Sequence, residues 1–236
     1  NDGSEGEAYD PESIVWSPKG GSGTTVVAAA LAVVRAGSGA RVLLVDLAGD
    51  MPAALGMATP SGPGVLDWLA DPDAEVDAID RLVLPVTEGL ALLPAGGVGR
   101  LRWSPDRSVA LAAALGGRLA SGRSVVVDAG RCGGPVVSAD HDDLVVALAG
   151  PGRSLMVTRS CYLALRAAMN AQVVADGVVV IAEPGRSLND RDVSDVLSVP
   201  VVASIVADPA IARAVDAGLL VRRVPRVLAR ELGPLW

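Results

Sequence analysis

A glycine-rich segment near the start of the chain has the clearest chemical potential. Its residues are Lys19, Gly20, Gly21, Ser22, Gly23, Thr24 and Thr25, between an apolar stretch at 14–16 and small residues at 26–36. Glycines let the backbone approach a ligand closely, and the free N–H groups at a helix start favour an anion. With a strand before it and a helix after it, this segment is predicted to be a phosphate-binding loop.

The segment departs from the usual phosphate-binding loop at one position. That loop ends in a lysine, which contacts the β- and γ-phosphates, followed by a hydroxyl residue that binds Mg²⁺. Thr24 occupies the lysine position here, whereas Thr25 keeps the hydroxyl. The only lysine of the chain, Lys19, stands at the beginning of the segment.

Two aspartates end apolar runs that are typical of strands covered on both faces. Asp46 follows the run at 40–45, and Asp128 follows the run at 125–127. Ligands of doubly wound sheets bind beyond the carboxyl ends of the strands. Asp128 is therefore predicted to order Mg²⁺ through water, beside Thr25, and the alternative is an ordinary aspartate that caps a turn.

The early lysine and its two glycines resemble the deviant Walker A motif, K-G-G-x-G-K-[ST], of the ParA/MinD family of ATPases. The resemblance covers about 14–232. It implies ATP and Mg²⁺ as cofactors, and a homodimer in which Lys19 reaches the nucleotide of the partner. Lys19 is then a catalytic candidate as well as a nucleotide-binding one.

The same resemblance indicates an impaired catalytic site. The family's second strand typically ends D-x-D, and the second acid positions the attacking water. This chain has Asp46, counted here as nucleotide-binding, followed at that second position by Ala48, which neither orients water nor takes a proton. Asp50 is the other catalytic candidate, although we expect it mainly to cap a helix at 53–55. With Thr24 also replacing the lysine, hydrolysis is expected to be slow or absent.

The second half of the chain indicates a branch of the family. Residues 208–218 resemble the closing segment of the TadZ/CpaE and septum-site-determining branch, whereas the strand at 177–182 lacks the asparagine with which the family reads adenine. The nucleotide contacts predicted in this half are Glu183, Arg186, Asp208 and Pro209.

Four further residues are considered as phosphate contacts or as a metal ligand. Arg131, Arg153 and Arg186 each follow or precede a predicted element, and one of them is a candidate for a phosphate contact that replaces the missing lysine. The sequence does not choose among them. His141 lies among acids at 140–143, and we interpret it as part of a solvated helix start rather than a metal ligand.

The order of predicted elements gives the fold class. Strands at 14–16, 40–46, 124–128, 154–158, 177–182 and 200–206 alternate with helices, which predicts an α/β protein with a doubly wound, mostly parallel sheet and helices on both faces. Two short strands are expected at 82–86 and 90–93. We expect residues 1–13 to be a flexible acidic tail or linker end and 14–236 to be one domain.

The composition of the chain indicates which classes of partner to expect. A formal net charge of −7 argues against broad, non-specific DNA binding, so no specific nucleic acid is expected. The two cysteines, Cys132 and Cys161, have no metal-ligand spacing and are read as thiols of a cytoplasmic protein. Apolar residues at helical spacing in 221–236, with arginines around them, fit either a last helix packed on the fold or peripheral contact with the inner face of the membrane.

Together these features predict a nucleotide-binding localisation or scaffold protein that acts with a pilus or division machinery. Two alternatives stay open. One is an active, ATP-hydrolysing dimeric switch that uses Lys19 in trans. The other is a constitutive dimer that no longer binds nucleotide.

Overall fold

The computed structural model describes residues 13–97, 102–133, 137–150 and 153–235. All but the last residue of the predicted acidic tail therefore lie outside the described residues. The described strands form a single sheet, and they are β1 (Ser13–Ser17), β2 (Val42–Asp46), β3 (Leu84–Pro85), β4 (Leu90–Leu93), β5 (Ser124–Arg131), β6 (Arg153–Arg159), β7 (Gly177–Ala182) and β8 (Val201–Val206).

The sheet has the order β3-β4-β2-β5-β1-β6-β7-β8. Every neighbouring pair is parallel except β3 and β4, which are antiparallel at one edge. This confirms the predicted doubly wound, mostly parallel sheet. The predicted strand at 82–86 is reduced to two residues, because a short helix continues to Leu82.

The helices cover both faces of the sheet. They are α1 (Thr24–Gly37), α2 (Met51–Ala54), α3 (Val65–Ala70), α4 (Ala78–Leu82), α5 (Pro105–Ala120), α6 (Ala139–Ala149), α7 (Tyr162–Met169), α8 (Asp190–Leu197), α9 (Pro209–Asp216) and α10 (Arg226–Leu232), and a 3₁₀ turn, Gly233–Leu235, follows α10. On one face α1 and α10 bury Leu31, Leu228 and Leu232. On the other face α5 and α6 bury Leu111, Leu115 and Leu144.

The end of the chain packs on the fold. Leu228 and Leu232 are buried in the core cluster that contains α1, whereas Arg226 and Arg230 are exposed. The last helix is shorter than the apolar spacing suggests, because it begins after Pro225. The apolar stripe is thus used inside the protein. None of the helices in the described ranges is long and apolar enough to cross a membrane.

The register of the central strands brings the predicted chemistry to one edge. Val15 of β1 is paired with Asp128 of β5, and Asp46 of β2 is paired with the same Asp128. The loop that follows β1 therefore starts next to both strand-end acids. Parallel pairing of three adjacent strands places these residues together although they are far apart in sequence.

Candidate functional site

The loop between β1 and α1 has the conformation of an anion cradle. Gly21 and Gly23 have φ angles of 76° and 91°, a region that favours glycine. The Ser22 hydroxyl donates to the Lys19 carbonyl at 2.6 Å and closes the loop on itself. Gly23 precedes α1 and supplies no side-chain cap, so the N–H groups of the first turn remain for a ligand.

This loop lines a cleft of about 1080 Å³ at the carboxyl edge of the sheet, which we call the phosphate cleft. Its described lining includes Gly20, Gly21, Gly23, Thr24 and Thr25 from the loop, Ala48 and Asp50 from the segment after β2, and Gly130 and Arg131 from the end of β5. Trp103 and His141 also line it. The structure thus brings together most of the predicted phosphate-site residues of the first half of the chain.

Asp128 is buried directly beneath this cleft. Its Oδ1 accepts a hydrogen bond from the Gly130 N–H at 3.0 Å, and its Oδ2 has no hydrogen-bond partner among the described residues. Burial raises the pKa of the carboxyl to about 7, the nearby Thr25 hydroxyl opposes that shift, and the negative charge of Asp46 adds to it. A buried carboxyl oxygen without a partner is a group that a cation or its water shell would satisfy.

The residues present fit a magnesium ion bound mainly through water and phosphate oxygens. Thr25 and Asp128 are the protein groups beside the loop that would hold it. No cluster of three or more His, Cys, Asp and Glu side chains suited to a metal occurs in the described ranges. Mg²⁺ commonly keeps several waters and few carboxylates, so a two-residue set is sufficient for it.

Asp46 has a different environment from Asp128. Its Oδ1 accepts from the N–H groups of Ala48 and Gly49 at 2.9 and 2.7 Å, and its Oδ2 accepts from Met51 N–H at 3.2 Å. Burial raises the pKa of its carboxyl, although these three hydrogen bonds oppose the shift. Asp46 does not line the phosphate cleft and instead shapes the segment that does, so its contact with a nucleotide stays a prediction.

The segment after β2 presents Ala48 and Asp50 to the cleft. Ala48 approaches the end of β5 so closely that a Cβ on Gly130 would lie 2.8 Å from the Ala48 Cβ. Asp50 stands at the N-terminal position of α2 but makes no capping hydrogen bond. Our interpretation of Asp50 as a helix cap was therefore wrong: of the two positions that a cap would bind, the second residue of α2 is Pro52, which has no N–H. The exposed Asp50 carboxylate remains available on the rim.

His141 is the cleft residue that sequence reasoning missed. Its Nε2 lies 2.9 Å from the carbonyl oxygen of Ala129, the residue after Asp128, and burial lowers its pKa. The predicted helix start with acids in its first turn is confirmed, whereas the ring itself is half-buried rather than fully solvated. A signal existed: α6 is the helix after β5, so its first turn lies at the carboxyl edge of the sheet, where sites of this fold occur.

Lys19 does not line the phosphate cleft. It is exposed and lines a smaller pocket of about 300 Å³ with Ser22, Arg159, Cys161 and Arg186. Glu183 lies beside this second pocket, because its carboxylate pairs with Arg159 at 3.0 Å and with Arg186 at 2.7 Å. An exposed lysine outside its own cleft fits the predicted reach toward a partner.

The remaining predicted contacts lie elsewhere. Asp208 caps α9 by accepting from Ala210 N–H at 2.7 Å, and Pro209 is the first residue of that helix. Neither residue lines the phosphate cleft or the second pocket. The structure does not bring them, or Glu183, to the wall of the phosphate cleft, so their part in nucleotide binding stays a prediction.

Comparison with known families gives one match. The model of the CobQ/CobB/MinD/ParA nucleotide-binding domain matches residues 13–221, which include both strand-end acids and the whole loop. No curated protein sequence matches the chain. The family model therefore carries the sequence evidence.

Solved structures give the same fold at low sequence identity. A ParA family ATPase from Chlorobium tepidum superposes with a TM-score of 0.72 at 19% identity, over 94% of this chain and 96% of that one. The cell division ATPase MinD of Pyrococcus furiosus gives 0.70 at 22% identity, over 96% and 99%. The MinC:MinD cell division complex of Aquifex aeolicus gives 0.73 at 18%, over 95% of each chain. At these identities the likeness concerns the fold alone.

Proposed function

The chain belongs to the CobQ/CobB/MinD/ParA nucleotide-binding family, and from that premise we propose that it is a localisation or scaffold protein whose site binds ATP with Mg²⁺ and hydrolyses it slowly or not at all. The phosphate cleft is the observation that supports nucleotide binding. Its loop offers an uncapped helix N-terminus, and the carboxyl beneath it has an unpartnered oxygen.

Thr24 and Ala48 differ from the family's residues, but the groups on which nucleotide binding depends are still present. The backbone of Gly20–Thr25 would surround the phosphates, the dipole of α1 would add positive potential, and Thr25 and Asp128 would hold the hydrated cation. Mg²⁺, when bound, neutralises phosphate charge and fixes the orientation of the β- and γ-phosphates. These contacts depend neither on a lysine at 24 nor on an acid at 48.

Slow hydrolysis is expected because of the residues at positions 24 and 48. Thr24 is a buried, uncharged residue of the loop, and Ala48 lines the cleft with a methyl group. Removal of one electrostatic donor from a transition state costs roughly 10²- to 10³-fold in rate. With both a cation and an acid missing, a role that depends on the bound state is better supported than one that depends on fast turnover.

The scaffold role is supported by the kind of protein that shares this fold. The superposed chains include cell division ATPases named MinD, one of them in complex with MinC, and a ParA family ATPase. We extend this to division-site placement or pilus assembly, with a homodimer as the active form. The exposed Lys19 supports the dimer, since it lines the second pocket and not the phosphate cleft of its own chain.

A thermal-shift experiment tests the binding part. Ligand at about 100 times its Kd adds about 2.7 kcal/mol to the free energy of unfolding, which raises Tm by roughly 5–10 °C for a chain of this length. We expect such a rise with Mg-ATP or Mg-ADP. No rise with Mg-ATP, Mg-ADP or Mg-GTP at millimolar concentration would contradict nucleotide binding and favour the constitutive scaffold.

Two threonines make the experiment specific to the cleft. Thr25→Val removes the hydroxyl that faces the cation, so the shift with Mg-ATP should shrink. Thr158→Val makes the same change at a buried threonine that lines neither pocket, and the shift should be retained. Hydrolysis by the unaltered protein at rates typical of enzymes, about 1 s⁻¹ or more, would instead support the active switch.

A further inference from the structure

The three arginines that the sequence left as candidates for a phosphate contact occupy different places. Arg153 donates from Nη1 to the carbonyl of Leu235 at 2.7 Å, at the opposite end of β6 from the phosphate loop. Arg186 pairs with Glu183 and lines the second pocket. Arg131 alone of the three lines the phosphate cleft. The positions of the three arginines therefore favour Arg131 as the phosphate contact, a choice that the sequence left open.

The backbone holds Arg131 next to the loop. It is the last residue of β5 and is in register with Ser17, the last residue of β1. The next residue, Cys132, donates its N–H to the Ser17 carbonyl at 2.9 Å. The stem of the side chain reaches the loop itself, since a Cβ on Gly20 would lie 3.9 Å from the Arg131 Cδ.

The guanidinium is available for a ligand. Arg131 is exposed, and no hydrogen bond or ion pair joins its side chain to another residue in the described part of the chain. The other cationic side chain of the described cleft lining, Arg102, pairs with Asp140 at 3.3 Å. Arg131 therefore provides the uncommitted positive charge beside the loop.

The cleft needs such a charge. Asp46, Asp50 and Asp128 surround the site, and the whole chain carries a formal charge of −7. A di- or triphosphate that enters this field is repelled unless cations neutralise it, and Thr24 supplies none. Arginine suits the task because its planar fork binds two phosphate oxygens at once.

We infer that Arg131 supplies, from the end of β5 of the same chain, the cationic contact to the β- or γ-phosphate that Thr24 lacks. This inference rests on the proposed function, since it presumes that the cleft binds a nucleotide. It assigns to the chain a phosphate contact in cis that is separate from the predicted reach of Lys19 in trans.

Isothermal titration of the intact protein with Mg-ATP, Mg-ADP and AMP tests the inference. Loss of one charge-assisted hydrogen bond weakens binding on the order of tenfold to a hundredfold. Arg131→Ala should therefore lose that much affinity for Mg-ATP and little for AMP, which lacks both distal phosphates. Mg-ADP should be weakened as much as Mg-ATP if the contact is to the β-phosphate, and little if it is to the γ-phosphate. Arg131→Lys, which keeps the charge, should recover part of the loss. A purely structural role would weaken all three ligands alike and would not be rescued by lysine.

A matched control and two contrary results complete the design. Arg191, on α8, has a side chain that is 90% exposed and lines neither pocket, so Arg191→Ala should bind as the unaltered protein does. Unchanged Mg-ATP affinity in Arg131→Ala, or a comparable loss only in Arg102→Ala, would overturn the assignment and leave nucleotide binding intact. Absence of binding in the unaltered protein would overturn the proposed function itself.

Discussion

Asp46 and Asp128 are a natural comparison within this molecule. Both end a buried parallel strand, both are fully buried, and they are paired across β2 and β5. Asp46 accepts three backbone N–H groups, whereas Asp128 accepts one and leaves Oδ2 without a partner in the described chain. The same sequence pattern therefore serves two purposes. One acid fixes a loop, and the other is the acid that we propose acts on the ligand.

Asp46→Asn should produce the largest loss of stability. An amide turned either way sets an NH₂ group against at least one of the N–H groups that the carboxylate now accepts. We expect the free energy of unfolding to fall by about 2–4 kcal/mol, because hydrogen bonds to a charged group are replaced by an unsatisfied buried donor. Urea denaturation at pH 7 measures this. Asp50→Asn, an exposed change in the same segment, should stay within about 0.5 kcal/mol.

Asp128→Asn should instead affect the ligand. If the unpartnered Oδ2 orders the water shell of Mg²⁺, its loss should lower Mg²⁺ affinity by about 10- to 100-fold, as for other groups that act through the metal's outer shell. ATP titrations with Mg²⁺ and with EDTA would give a large difference for the unaltered protein and a small one for the variant. Equal Mg²⁺ dependence in both proteins would remove the distinction between the two acids.

In the ligand-free protein, the buried Asp128 carboxyl should make the free energy of unfolding fall as the pH rises. Its folded pKa of about 7 exceeds the ordinary value of 3.8, so the stability linked to this carboxyl is complete below pH 3.8 and is lost as the pH rises to about 7. Asp128→Asn removes this dependence and should become the more stable protein near pH 8, by about 1–2 kcal/mol. Chemical denaturation from pH 5 to pH 8 checks the sign.

The sequence could predict the loop and both acids because each depends on local chemistry. Glycine torsions in 19–25 and aspartates at strand ends are visible in one short stretch of sequence at a time. The division of roles between Asp46 and Asp128 was not visible, since it depends on which N–H groups the next few residues turn inward. Asp50 illustrates this: it has the position of a cap but makes no capping hydrogen bond, whereas Asp46 accepts the Met51 N–H from five residues away.

The sequence also could not predict which distant residues the fold brings together. Arg131 and Arg186 both follow predicted strands, and only the sheet order shows that β5 adjoins β1 directly, whereas β7 lies two strands away. His141 was misread for the same reason. Its local sequence is acidic and polar, but the crossover from β5 to α6 turns its ring toward the Ala129 carbonyl.

His141 gives the smallest predicted effect and sharpens the comparison of the two acids. Its ring holds the backbone next to Asp128, so His141→Leu should cost about 1 kcal/mol through the lost hydrogen bond, and His141→Gln, which keeps a donor, should cost less. Burial lowers the pKa of His141 below its ordinary 6.5, so its stabilising effect is present above pH 6.5 and is lost as the pH falls further.

The pH dependences of His141 and Asp128 therefore oppose each other between pH 5 and pH 7. In His141→Gln the acid-side loss should disappear, and the fall of stability with rising pH that comes from Asp128 should become steeper than in the unaltered protein. In Asp128→Asn the reverse should hold, with stability rising with pH through His141. If His141→Gln and the unaltered protein have the same pH profile, the ring is not buried in its neutral form.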